Sequence, residues 1–256
     1  MEIDYTTVTE VRGNQVTQEQ LERMFHRYCF ASNFGEGKDV LEVACGAGLG
    51  LGYLAKRAKR VFAGDYTETL IKEAKRYYKE RVPLLRLDAH FLPFRDQSFD
   101  VVILYEAIYY LAQPEHFFDE ARRVLRKDGV LLIATVNKHW SEFNPSPFST
   151  SYFSVPELSE SLEKNGFKVE MYGAFSVLPK SAKEKIVASI RKIAVALHLI
   201  PKTMKGKEFL KKVFYGKLKA LKGEIEEGSW EFSPPSSLPL NVPNEEYKVI
   251  YAVARV

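Results

Sequence analysis

Between residues 39 and 136, short runs that are apolar on both faces alternate with amphipathic helical patterns, and few folds accept that alternation. The strand-like runs are 39–43, 60–65, 84–88, 99–105 and 130–136; helical spacing fills 49–58, 67–80, 107–111 and 115–125. A run with no polar face belongs inside a sheet that is covered on both sides. Repeated strand–helix units therefore predict a doubly wound α/β fold with a parallel sheet. Two further strands are expected at 168–175 and 247–255. The first follows a helical pattern over 155–165 that stops at Gly166, the usual position for a glycine past a helix end.

At 256 residues the chain suits one such domain with a sizeable insertion. Its formal charge of +4 is mild and excludes little. Cys29 and Cys45 show no metal or redox spacing, so no metal is expected and a reduced, cytoplasmic setting is. The first ten residues are polar and acidic, unlike a signal peptide. No apolar run approaches the roughly 20 residues of a membrane span.

The first strand breaks into a glycine-rich turn, Glu42-Val43-Ala44-Cys45-Gly46-Ala47-Gly48-Leu49-Gly50. Gly46, Gly48 and Gly50 are expected to supply positive φ and room for a ligand against the backbone. A dinucleotide turn requires G-x-G-x-x-G, whose third glycine would fall on Leu51 or Tyr53, and a P-loop requires Gly-Lys-Ser/Thr; neither is present. The turn with Glu42 before it resembles motif I of class I S-adenosylmethionine-dependent methyltransferases. Later residues extend the resemblance. Asp65 ends the second strand, Asp88-Ala89 the third, and the run Leu92-Pro93-Phe94 to Ser98-Phe99-Asp100 is similar to the large subgroup that includes ubiquinone- and menaquinone-biosynthesis enzymes. It implies a seven-stranded Rossmann-like methyltransferase fold whose last strand is antiparallel, with S-adenosylmethionine as cofactor and S-adenosylhomocysteine as product.

Open α/β sheets bind ligands at the carboxyl ends of their strands. The backbone around Ala44, Cys45, Gly46 and Gly48, with Glu42, is expected to face the methionine part and the ribose. A carboxylate at Asp65 suits a ribose diol; Thr67 then remains to cap the following helix. Tyr66 is placed to stack on adenine. The resemblance implies that Asp88 meets the adenine amino group and Ala89 a ring nitrogen. Tyr105 and Glu106 end the fourth strand, facing the sulfonium methyl. Tyr109-Tyr110 stand where many relatives carry a His-His pair, so the acceptor group is not named by the pattern. An N-terminal cover helix over about 18–34 carries Arg27-Tyr28, and some relatives place such a pair over the cofactor, which adds Tyr28 to the binding set. His139, just after the fifth strand, and Glu106 are the candidate bases. The aromatic loop 140–153 is expected to line the acceptor pocket.

The domain so read covers 1–175 and 247–256. Residues 176–246 interrupt the last hairpin and form a basic helical insertion, a possible lid, with apolar stripes over 181–199 and 208–222. Four prolines between 234 and 243 predict a stiff, strand-free return. The favoured function is methyl transfer to an oxygen or nitrogen of a small molecule or glycan. An RNA or protein methyltransferase contacting its substrate through the basic insertion, peripheral membrane contact there, and a non-catalytic or nicotinamide-binding protein stay open. Nucleic acid is disfavoured because no recognised module is present, and oligomeric state is not written in the sequence.

Overall fold

The computed structural model describes residues 3–178, 218–221 and 223–256. Among them the strands are β1 (Gln15–Val16), β2 (Asp39–Val43), β3 (Arg60–Asp65), β4 (Leu84–Arg86), β5 (Phe99–Tyr105), β6 (Leu125–Val136), β7 (Lys168–Ser176), β8 (Lys219–Ala220), β9 (Ser236–Leu238) and β10 (Tyr247–Arg255). The helices are α1 (Gln18–Gly35), α2 (Leu51–Ala55), α3 (Glu68–Tyr78), α4 (Pro114–Val124) and α5 (Val155–Lys164). The main sheet runs β4-β3-β2-β5-β6-β10-β7-β9. Strands β2 to β6 pair in parallel, and β10 lies antiparallel between β6 and β7. This is the doubly wound fold with a reversed last strand.

Local chemistry sets the helix ends. Thr17 and Gln20 form a capping box at α1, and Ser154 and Glu157 form another at α5, where Gly166 follows at φ 81°. The apolar faces bury two cores, one on each side of the sheet. One gathers Tyr28, Tyr53, Tyr78, Tyr105 and Tyr251; the other is built on Phe117, Phe118, Leu158 and Leu162. At the amino ends of the strands, Asp39 receives both Arg60 (2.7 and 2.8 Å) and Arg126 (3.0 Å), while Asp100 receives Arg126 and the Asp39 amide (both 2.9 Å). That network pins β2, β3, β5 and β6 together at the end opposite the site.

Several expectations need correction. The strand expected over 84–88 stops at Arg86, because Asp88 accepts the amide two residues on, His90 N (2.9 Å), and turns the chain. Residues 107–111 give only a 3-10 turn at Ile108–Tyr110, and the helix expected over 49–58 shrinks to α2 as Lys59 is drawn back onto Lys38 of the neighbouring strand entry. The fifth strand starts early, at Leu125, which pairs with Phe99 before a register shift. The return is not strand-free: β9 sits between prolines and pairs antiparallel with β7 at the sheet edge, where flanking prolines cost no ladder bonds. The eighth strand of the main sheet is therefore an addition to the seven expected. The helical pattern over 181–199 lies outside the described residues, as does most of that over 208–222. The end of the latter is strand, since Lys219–Ala220 pairs with Gln15–Val16. The described root of the insertion joins the core through Leu221 and Ile225.

Candidate functional site

The carboxyl ends of β2, β3 and β5 open onto one cavity of about 590 Å³. Its lining includes Tyr28, Glu42, Ala44, Cys45, Gly46, Asp65, Tyr66, Asp88, Ala89, Tyr105 and Glu106, so residues expected from five separate stretches of sequence converge. Gly48 and His139 do not line it. Gly48, at φ 77°, instead carries the turn: its carbonyl accepts the Tyr78 hydroxyl at 2.6 Å and its amide donates to Cys45 O at 2.9 Å. His139 donates its backbone amide to Asn137 Oδ1, and Asn137 is itself tied to the carbonyls of Asn244 and Tyr247 beside β10.

Backbone strain concentrates at the two strand ends that meet here. Ala44, just past β2, has φ 57° and Glu106, just past β5, has φ 52°, conformations that L-residues rarely hold. Gly46 takes φ 57° as expected, but Gly50 does not need positive φ (−98°). Its missing side chain makes room for the Tyr28 ring, whose Cζ would lie 2.0 Å from a Cβ. The third glycine serves the cover helix rather than a ligand.

Tyr28 donates to Glu42 Oε1 at 2.5 Å, and Glu42 is buried with Oε2 unpartnered. Burial pushes the Glu42 carboxyl up to about 7, against the pull of the Tyr28 hydroxyl and the Arg27 charge. Asp65 is also buried, which raises its carboxyl; its two oxygens accept the amides of Gly46 and Thr67, each at 2.8 Å. Asp65 thus takes part in the start of α3, correcting the expectation that Thr67 would leave it spare, since the Thr67 hydroxyl makes no cap bond. Each carboxylate oxygen keeps a second acceptor site. Asp88 is 40% exposed and accepts both His90 N and His90 Nδ1. Tyr66 sits at the mouth, with Arg86 over its ring.

Sequence reasoning missed the roof and, beside the expected Arg27, Arg23. Residues of the N-terminal segment, Ile3, Tyr5, Val8, Thr9 and Glu10, close over the cavity, and Tyr5 packs on Tyr66, Tyr110 and Phe148 with ring centroids 6.4, 4.9 and 6.3 Å away. Nothing in a short polar segment signals this beyond its lone aromatic. Arg23 and Arg27, one turn apart on α1, reach Glu106 only at 3.8 and 3.7 Å. Burial works against the charge of Arg27, yet Glu106, Tyr28 and Glu10 keep its guanidinium above its usual range. Of the loop expected to line the pocket, Phe148 and Thr150 do so, and Tyr152 backs Tyr109 by stacking at 4.6 Å. Trp140 turns away, under Lys248.

Residues 41–133 match the family model described as a methyltransferase domain. Over this stretch the chain is similar to methyltransferase domains. Its sequence is 38% identical over 140 residues to a Mycolicibacterium smegmatis protein described as a "Probable S-adenosylmethionine-dependent methyltransferase", covering 52% of this chain and 53% of that one. It is 37% identical over 112 residues to a Mycobacterium tuberculosis phthiotriol/phenolphthiotriol dimycocerosates methyltransferase, covering 41% of this chain and 40% of the relative. The chain thus spans about half the length, or less, of these curated relatives. In fold, the chain resembles a Thermotoga maritima S-adenosylmethionine-dependent methyltransferase with a TM-score of 0.54, at 17% identity, over 93% of this chain and 97% of that one.

Among the described residues, four that line the cavity carry a buried polar atom with no partner: Arg27 Nε, Glu42 Oε2, His90 Nε2 and Tyr105 OH. Buried polar groups are rarely left so. Together with three acids at successive strand ends, they suit a ligand that is polar along its length and carries net positive charge, as S-adenosylmethionine does.

Proposed function

We propose that the protein transfers the sulfonium methyl of S-adenosylmethionine to an oxygen or nitrogen of a small molecule or glycan. The observation that carries the reading is the convergence of Glu42, Asp65 and Asp88 on one cavity beside the glycine turn. In this reading Asp65 holds the ribose hydroxyls, Asp88 and Ala89 the adenine edge, Tyr66 its face, and Glu42 with Tyr28 and the turn the amino-acid end. Tyr105 walls the donor. When bound, the cofactor supplies a methyl already activated on a sulfonium, so alignment carries much of the rate; orientation can be worth about 7–11 kcal/mol.

Glu106 is the group placed to take a proton from an acceptor hydroxyl. It lines the cavity, accepts the Tyr109 hydroxyl at 3.3 Å and faces two arginines. A base so placed contributes roughly 10²–10⁴-fold. His139, outside the cavity, is not assigned that role. The acceptor compartment is walled by Tyr109, Tyr110, Phe148 and Thr150, an aromatic surface that suits a ring or a sugar face. The name of the M. tuberculosis relative specifies a triol, which favours oxygen as the acceptor atom.

Calorimetry with S-adenosylmethionine and with NAD tests the reading directly: the first is expected to bind and the second not. Binding of NAD alone would sink it. A methyl-acceptor screen with hydroxylated rings and sugars then identifies the substrate.

The position of Glu42 also predicts a pH dependence. With its carboxyl at about 7, Glu42 is largely protonated in mildly acidic solution. A cationic ligand prefers the carboxylate, so binding must expel a proton below about pH 7, and affinity falls by up to about tenfold for each further unit of acidification. Above that the dependence on this group disappears. Calorimetry of S-adenosylmethionine should register release of close to one proton at about pH 6, and Glu42→Gln should abolish the release. A flat affinity from about pH 5.5 to 7.5 contradicts the assignment.

A further inference from the structure

Arg12 lies in none of the motifs discussed above, yet its guanidinium, only 15% exposed, joins three parts of the molecule. Nη1 donates to the carbonyl of Ala47 at 2.6 Å, in the middle of the glycine turn. Nε donates to the carbonyl of Gly223 at 3.0 Å, at the root of the insertion. The plane of the group covers the Tyr77 ring of α3 at 3.8 Å, and Glu73 stands 3.5 Å from Nη1.

The effect on the turn follows from the planarity of the peptide unit. The Ala47–Gly48 peptide is held at both ends, its carbonyl by Arg12 and its amide by Cys45 O at 2.9 Å. The next carbonyl, Gly48 O, is taken by the Tyr78 hydroxyl. Among the described residues, the amides of Ala47 and Leu49 on either side have no partner, and both residues line the cavity. Two side chains from outside the turn thus hold its carbonyls, and the flanking donors remain for a ligand.

The insertion root is tied to the same point. Gly13 N donates to Leu221 O at 3.0 Å, Leu221 N to Asn14 O at 2.9 Å, and Ile225 N to Leu49 O at 3.1 Å. The β1–β8 pair closes this clasp.

We propose that Arg12 is a positioning residue for the glycine turn, through which the root of the insertion sets the affinity for the methyl donor. The proposal rests on the reading of the cavity as a methyl-donor site. It predicts that preorganisation is lost when the guanidinium is removed, although Arg12 does not line the cavity.

The test uses the full chain. Arg12→Met keeps an apolar stem against Tyr77 and removes every donor. It is expected to raise the Kd for S-adenosylhomocysteine by about tenfold or more in calorimetry. In the ligand-free protein it should also speed hydrogen exchange at the Gly48 amide, because that peptide loses its anchor. Glu73→Gln, which leaves both carbonyl bonds in place, should change neither. A purely structural role would lower the melting temperature and leave the Kd within about twofold of wild type, and that result overturns the proposal. Arg12→Lys restores one charged donor and should recover part of the affinity; it also serves if the methionine variant does not fold, where wild-type Kd and exchange in the lysine variant count against the proposal. If the wild-type chain binds no S-adenosylhomocysteine, the methyl-donor reading fails. The hold of Arg12 on the turn is then still decided by the exchange rate at Gly48.

Discussion

Asp65→Asn is expected to weaken S-adenosylhomocysteine binding by about 10²–10⁴-fold in a protein that remains folded. Hydrogen bonds to a charged group are worth about 1.5–3 kcal/mol each, and a ribose diol offers two. The same carboxylate serves the scaffold, since it accepts Gly46 N and Thr67 N, one on each oxygen. Asparagine keeps one acceptor and turns a donor toward the other amide, at a stability cost of about 1–3 kcal/mol. Alanine would leave both buried amides unpaired, so it is the poorer probe of binding. Calorimetry and a thermal melt separate the two effects. Affinity within about threefold of wild type would mean that the ribose is held by other groups.

The second large effect is expected at Gly50→Ala. The backbone there is ordinary, at φ −98°, so the penalty is steric alone. An added Cβ would sit 2.0–2.2 Å from three atoms of the Tyr28 ring, which is packed in the core and cannot yield freely. Overpacking of this kind costs about 1–3 kcal/mol. Displacing the ring also breaks the Tyr28–Glu42 hydrogen bond and exposes the donor end of the cavity. Urea unfolding should show the loss. In a Tyr28→Ala background the same change should cost much less, because the two side chains compete for one volume. Stability within about 0.5 kcal/mol of wild type in the single variant would show that the ring relaxes at little cost.

The parallel strands were legible because burial on both faces leaves an unbroken apolar record: 39–43, 60–65 and 99–105 were read to the residue. Strands that form by long-range pairing left no such record. Gln15–Val16 and Lys219–Ala220 are too short for a period, and Ser236–Leu238 owes its place to an available sheet edge. The site divides in the same way. Acids at strand ends stand out because a carboxylate after an apolar run demands a reason. Gly50 was visible but misread, since sequence does not say whether a glycine faces a ligand or a tyrosine ring. Arg12, Arg23 and the roof were not legible, because a polar residue on a surface-like segment looks the same whether or not the chain folds back over a cavity.

The roof has a kinetic consequence. Tyr5 touches Tyr66 on the adenine side and Tyr110 and Phe148 on the acceptor side, so a single latch spans both compartments. Outside the cavity the segment is held near Tyr5 by the Thr6–Thr69 hydroxyl contact at 2.8 Å, and further along by Arg12 and the β1–β8 pair. On the function proposed above, opening this latch would uncover both sides together, which couples release of spent cofactor to release of methylated product.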